Sequence, residues 1–123
     1  METKRIDLFK YRGNNSSLFT GRPQGEAARK ELKLEENDKS GGKIVFLIPE
    51  NTSSFNPSFY LGLLYESIKY FGVEKFKSYY SFEIIDTNSE IKKVLLSDLD
   101  DGERNALNTI LGKTGLSRFT KKM

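Results

Sequence analysis

The sequence predicts an α/β fold, a two-layer sandwich in which a mixed β-sheet carries helices packed on it. Three observations predict it. Lys43-Ile44-Val45-Phe46-Leu47-Ile48 is a strand whose apolar run is continuous from Ile44, the mark of burial on both faces in mid-sheet. Leu61, Leu64, Ile68 and Phe71 then recur at helical spacing. Another strand and another helical stripe follow, so strands and helices alternate along the chain.

With 123 residues the chain is one domain, expected over residues 1–112, with a basic, frayed tail over 113–123. Hydrophobic residues are only 37%, but nine Phe and six Tyr make up for this by the area each aromatic buries. There are no Cys and no His. That excludes disulfides, thiolate nucleophiles, Cys/His zinc sites, imidazole bases and the Ser-His-Asp hydrolases. Twenty basic against seventeen acidic residues leave a charge of +3. The excess is largely terminal: Lys4 and Arg5 at one end, Lys113, Arg118, Lys121 and Lys122 at the other. Elsewhere acids and bases interleave, unlike the basic stripe of a nucleic-acid binder. No apolar run nears the roughly 20 residues that span a bilayer. The start lacks a signal-peptide stretch, so no membrane and a cytoplasmic location are the expectations.

Taken in order, residues 5–11 alternate loosely as a strand, Gly13-Asn14-Asn15-Ser16 marks a turn, and residues 17–20 suit a second strand closing an N-terminal hairpin. Pro23 fits a first helical turn, opening a helix to about Leu34 with Glu26, Arg29, Lys30 and Lys33 on its exposed side. Glu35 to Gly42 is a polar loop. Pro49 ends the central strand, and Asn56-Pro57 is an N-cap with proline at N1. The stripe helix runs from Pro57 to Phe71 and stops at Gly72. A short helix over Val73 to Tyr79 leads into a strand over residues 81–86. The last helix starts at Asn88 or Ser89 and runs through Ile91, Leu95, Leu99, Ala106 and Ile110, with Gly102 expected to kink or split it.

Asn51, Thr52, Ser53, Ser54, Phe55, Asn56 and Ser58 lie between the central strand and the stripe helix, where α/β folds place ligands. Local features favour the plainer role of capping and turning the chain. Asp98, Asp100, Asp101 and Glu103 lack calcium-loop spacing and point in several directions on a helix, so a solvated face is the better reading and no metal is expected. Neither phosphate-cradling glycine motif is present, and no cofactor is expected. Tyr65, Tyr70, Phe71, Phe76, Tyr79, Tyr80 and Phe82 interleave with Lys69, Lys75 and Lys77. Core packing accounts for them better than stacking on nucleic-acid bases.

Three segments read together resemble the STAS-like family of small bacterial proteins, across roughly residues 18–111. The first is Gly21-Arg22-Pro23-Gln24-Gly25-Glu26-Ala27-Ala28-Arg29. The second is Ile44 to Ile48 followed by Ser53-Ser54-Phe55 and Leu61-Gly62-Leu63-Leu64. The third is Lys75-Phe76 through Ser81-Phe82 with the final helix. The resemblance implies a STAS-like fold and a non-enzymatic regulatory module akin to anti-sigma-factor antagonists. It implies docking of a protein partner, in its most specific form a GHKL-type (histidine-kinase-type) ATPase, through the Asn51–Ser58 loop and following helix. It also implies phosphorylation of a serine there, with Ser58 and Ser54 the candidates. The alternative is a nucleic-acid-associated accessory protein using the basic tail and the Tyr/Lys segment. A carboxylate enzyme built on Asp98, Asp100 and Glu103 is the weakest reading, with no convergent site behind it.

Overall fold

The computed structural model describes residues 3–12 and 17–114. The elements are β1 (Thr3–Asp7), a 3-10 turn (Phe9–Arg12), β2 (Leu18–Phe19), α1 (Arg22–Glu31), α2 (Leu34–Ser40), β3 (Lys43–Ile48), β4 (Ser54–Phe55), α3 (Pro57–Phe71), α4 (Val73–Tyr79), β5 (Tyr80–Ile84) and α5 (Ser89–Thr114). The α/β architecture is as expected. The sheet is parallel rather than mixed: β1-β3-β5 form one sheet, β2-β4 a second, and every pairing is parallel.

The N-terminal hairpin does not form. Leu8, fully buried, donates its N–H to the Leu47 carbonyl at 3.1 Å, and the Asp7 carboxylate accepts from Phe9 N–H at 2.8 Å. The first bond prolongs the β1–β3 ladder by one rung; the Asp7 bond and the Phe9–Arg12 turn then end it, and β2 pairs with β4 instead. The intervening residues 13–16 lie outside the described residues.

Central strand β3 is buried on one face only. Ile44, Phe46 and Ile48 are inaccessible, whereas Val45 and Leu47 are half-buried. Their face is bridged by Arg5 of β1 and Glu83 of β5, paired at 2.8 Å across the strand between them. The polar stretch after α1 forms helix α2 instead of a loop. Its sequence hides this because the two inward positions, four residues apart, are Leu34 and the carboxylate Asp38.

Helix α3 is the centre of the molecule. An Asn56 cap accepts the Ser58 N–H at 2.8 Å, Pro57 opens the first turn, and Gly72 (φ +84°) closes the helix. Tyr60, Leu63, Leu64, Tyr65 and Ile68 are buried along it, between α1 on one side and α5 on the other. The approach of α1 is set by two glycines. A Cβ on Gly25 would lie 2.3 Å from the Phe59 carbonyl oxygen, and one on Gly62 would lie 2.2 Å from that of Arg22. Both obstacles are backbone, which has no rotamer to yield.

Gly102 does not kink α5, which is continuous to Thr114 and so includes the start of the expected frayed tail. A Cβ there would strike the Tyr60 ring at 2.4 Å, so this glycine serves close packing on α3. A cluster of rings joins the layers: Phe19, Phe55 and Phe59 lie 5.0–5.3 Å apart, and Phe82 touches both Phe55 (5.5 Å) and Phe46 (5.4 Å). No helix among the described residues is long and apolar enough to cross a membrane.

Gly25→Ala and Gly62→Ala each lower unfolding stability by about 1–3 kcal/mol or more, the cost of overpacking against a wall that does not move. Chemical denaturation checks this; wild-type stability in both variants would refute the close approach.

Candidate functional site

Beyond β3 the chain turns through residues 49–56 into α3, and nearly every backbone step of this turn is fastened. Asn51 adopts a left-handed φ of +65°, which Asn tolerates, and its N–H donates to Asp86 Oδ2 at 3.1 Å. Asp86 also accepts from Asn88 N–H at 2.9 Å. The backbone bonds, Asn88's first and then Asn51's, hold this carboxyl below its ordinary value. Thr52 Oγ1 donates to the Pro49 carbonyl at 2.8 Å and accepts from Arg12 Nη1 at 2.8 Å, and Arg12 Nη1 also reaches the Glu50 carbonyl at 2.9 Å. Ser53 N–H donates to the Ser17 carbonyl at 2.8 Å, with the two hydroxyls 2.8 Å apart. Phe55 N–H donates to Asp98 Oδ2 at 2.9 Å, and Asn56 N–H to the Phe19 carbonyl at 2.8 Å.

These fastenings divide the seven predicted residues. Asn51, Ser53 and Ser58 are exposed, and Ser54 and Asn56 are half-buried. Thr52 and Phe55 are inaccessible, which corrects their expected place in a partner-binding surface: their side chains anchor the turn from within. Exposed Leu18, paired with Ser54 across the small sheet, adds an apolar element beside the loop.

The acidic residues of α5 disperse. Asp98 caps β4 as above, Asp100 pairs with Arg104, and Glu103 meets Lys77 at 3.1 Å. Among the described residues no group of three or more carboxylates is placed to hold a metal ion. Of the aromatic segment, Tyr65, Phe76 and Tyr80 are core, Phe71, Tyr79 and Phe82 are half-buried, and Tyr70 is exposed. Residues 115–123, which carry three of the four tail cations, lie outside the described residues.

A buried polar clamp is the feature the sequence conceals. Arg29, expected on the exposed side of α1, turns inward: Nη2 meets Asp38 Oδ2 at 2.9 Å, and Nη1 donates to Ser67 Oγ (2.8 Å) and the Leu63 carbonyl (3.1 Å). The Ser67 hydroxyl lies within 2.9 Å of both Asp38 oxygens, and the Tyr80 hydroxyl donates to Oδ1. Asn37 Nδ2 donates to the Tyr80 hydroxyl at 3.0 Å and to the Gly42 carbonyl at 2.9 Å. Only 13% of the Arg29 side chain and 4% of the Asp38 side chain reach solvent, so the pair is held by its neighbours rather than by water. The clamp ties α1, α2, α3 and β5 together, and its polar groups are used in doing so. A lone inward Asp or Arg gives no periodic signal, so nothing in the sequence reveals it.

Together these features define a parallel α/β sandwich protein with one rigid, hydroxyl-rich loop before its central helix. Comparisons with protein-family models, curated proteins and solved structures gave no match.

Burial, and then the Asp38 carboxylate, push the Tyr80 phenol up to about 12 from an ordinary 10. A raised value means its contribution is complete below pH 10 and lost as pH climbs toward 12. Alkaline unfolding therefore steepens over that window, and Tyr80→Phe reduces the slope; Tyr11, raised to about 12, and Tyr60, raised chiefly by burial, leave a remainder. Asp38→Ala strands the Arg29 guanidinium and costs about 3–5 kcal/mol in denaturant unfolding. A loss below about 1 kcal/mol would show the clamp to be solvated.

Proposed function

We propose that this chain is a non-enzymatic regulatory module that docks a protein partner through the Asn51–Ser58 loop and the start of α3, as STAS-like proteins and anti-sigma-factor antagonists do. One observation carries the reading. The loop is fastened by hydrogen bonds to Arg12, Ser17, Phe19, Asp86 and Asp98, yet holds Asn51, Ser53 and Ser58 in solvent. A surface already rigid loses little entropy on association, which is what a recognition loop needs. The cytoplasm and a GHKL-type ATPase partner are the most specific setting for this role.

Regulation by phosphorylation favours Ser58 over Ser54. Ser58 is exposed in the first turn of α3, a turn with no acidic side chain, where the helix dipole favours added negative charge. Ser54 is half-buried within β4, paired with Leu18, so a phosphate there disrupts the small sheet. At Ser58 the charge changes the docking surface while sparing the fold.

The test compares wild type, Ser58→Asp and a distant control, Lys93→Glu, as immobilised baits in native lysate at low and high salt. One protein retained in stoichiometric amount by wild type and control through high salt, and at least about tenfold depleted on Ser58→Asp, is the expected result. Thermal melting shows Ser58→Asp folded and stabilised by about 0.3–1 kcal/mol. Equal retention by all three baits would refute the assignment of this loop.

A further inference from the structure

The opposite end of α3, about 20 Å from the loop at roughly 1.5 Å per residue, presents a different surface. Tyr70 stands out there with 58% of its surface exposed. Its ring meets Phe71 edge-on at 4.9 Å, and Phe71 stacks on Tyr79 at 4.6 Å and 19°. The inner two rings are half-buried and fasten α3 to α4; core packing accounts for them. It does not account for Tyr70.

Beside these rings lies an open cleft of about 380 Å³, whose walls include Lys39, Gly41, Tyr70, Lys75 and Tyr79. It is shallow and open to solvent, a surface on which a flat ring can lie. Lys75 Nζ sits 5.9 Å from the Phe71 ring centre. Neither Lys39 nor Lys75 has a carboxylate within salt-bridge distance among the described residues. Among the described residues the one acid in the cleft wall is Asp38, whose two oxygens are engaged by Arg29, Ser67 and Tyr80. The unpaired charge of this wall is thus positive, while Glu35 and Glu66 line the adjoining pocket that Lys39 and Tyr70 share with it. Lys39 also answers the carbonyl end of α2, which explains a cation there but not an exposed aromatic ring next to it. At the floor Gly41 (φ +74°) places only backbone beside the Tyr79 ring, the nearest ring atom lying 3.6 Å from where a Cβ would be.

We propose that this cleft binds a nucleobase with its adjoining phosphate, the base stacking on Tyr70 and the phosphate meeting Lys39 and Lys75. An exposed ring supplies stacking for any base, and paired lysines supply a sequence-independent charge. The same chemistry is offered by a single-stranded nucleic acid and by a free nucleotide. The site is separate from the docking loop and does not depend on it.

The test titrates the full chain with a short, fluorescently labelled single-stranded oligouridylate and, in parallel, with uridine monophosphate. Anisotropy reports the first, and quenching of intrinsic emission the second; that emission is tyrosine alone, since the chain has no Trp. Saturable binding of either is expected, with the stronger ligand identifying the natural source. Tyr70→Ala weakens binding about 5- to 150-fold and Tyr70→Phe restores it. Lys39→Gln and Lys75→Gln each lower the slope of log affinity against log salt by about 0.7 for the oligonucleotide. Ser58→Asp leaves binding unchanged. Three results would overturn the proposal: no saturable binding of either ligand at low salt, equal binding by wild type and a Tyr70→Ala/Lys75→Gln variant that melts normally, or equal competition by polyglutamate, which carries charge without a ring.

Discussion

The fold depends on the place where α1 and α3 touch through Gly25 and Gly62. Each glycine occupies the space that the other helix's backbone leaves, and the gap admits no side chain. From that contact the other spacings follow. With α1 this close, Arg29 reaches past the helix surface to the Leu63 carbonyl and Ser67, and so to Asp38. With α3 so placed, Phe59 meets Phe19 and Phe55, and the small β2-β4 sheet forms over its start. On the far side Gly102 repeats the device, letting α5 lie directly on the Tyr60 ring. Helix α3 is therefore held by close backbone approach on one flank and by a flat ring on the other.

The two ends of that helix have opposite physical characters. At its start the chain is polar but rigid: hydrogen bonds to four separate segments hold the turn, and the side chains left over face water. Its last turn is aromatic and basic, with the Asp38 charge drawn inward by the clamp. Were Asp38 free, it would cancel much of the lysine field in the cleft beside Tyr70. The clamp thus has an electrostatic consequence beyond stability: it removes an acid from one surface and fastens four elements.

Periodicity and punctuation carry what is legible in the sequence. Pro57, Gly72 and the apolar stripe set the bounds of α3, and Val73 to Tyr79 stands out as a short helix. The loop before α3 is legible as a place, through its capping residues and its position after the central strand. Strand partners are not legible, because Leu18 and Phe19 pair with β4, far along the chain, rather than with the neighbouring strand. Helix α2 is hidden because one of its two inward positions is Asp38, and pattern places Arg29 outside because a charge on a helix normally is. Thr52 and Phe55 group with their exposed neighbours because a run of loop residues carries no information on which ones turn inward. Each of these differences arises from a contact between distant residues that local pattern does not encode.

The interhelical contact can be seen directly by nuclear magnetic resonance. With a Gly25 Cβ position only 3.0 Å from the Gly62 Cα, the α-protons of the two residues lie within the range of a strong nuclear Overhauser effect. A cross-peak between Gly25 and Gly62 is therefore expected, accompanied by one from the Gly62 α-protons to the Glu26 amide proton, whose nitrogen lies 2.7 Å from the Gly62 Cβ position. Assigned α-protons for both glycines with no cross-peak between them would contradict the close approach, and with it the position of the central helix.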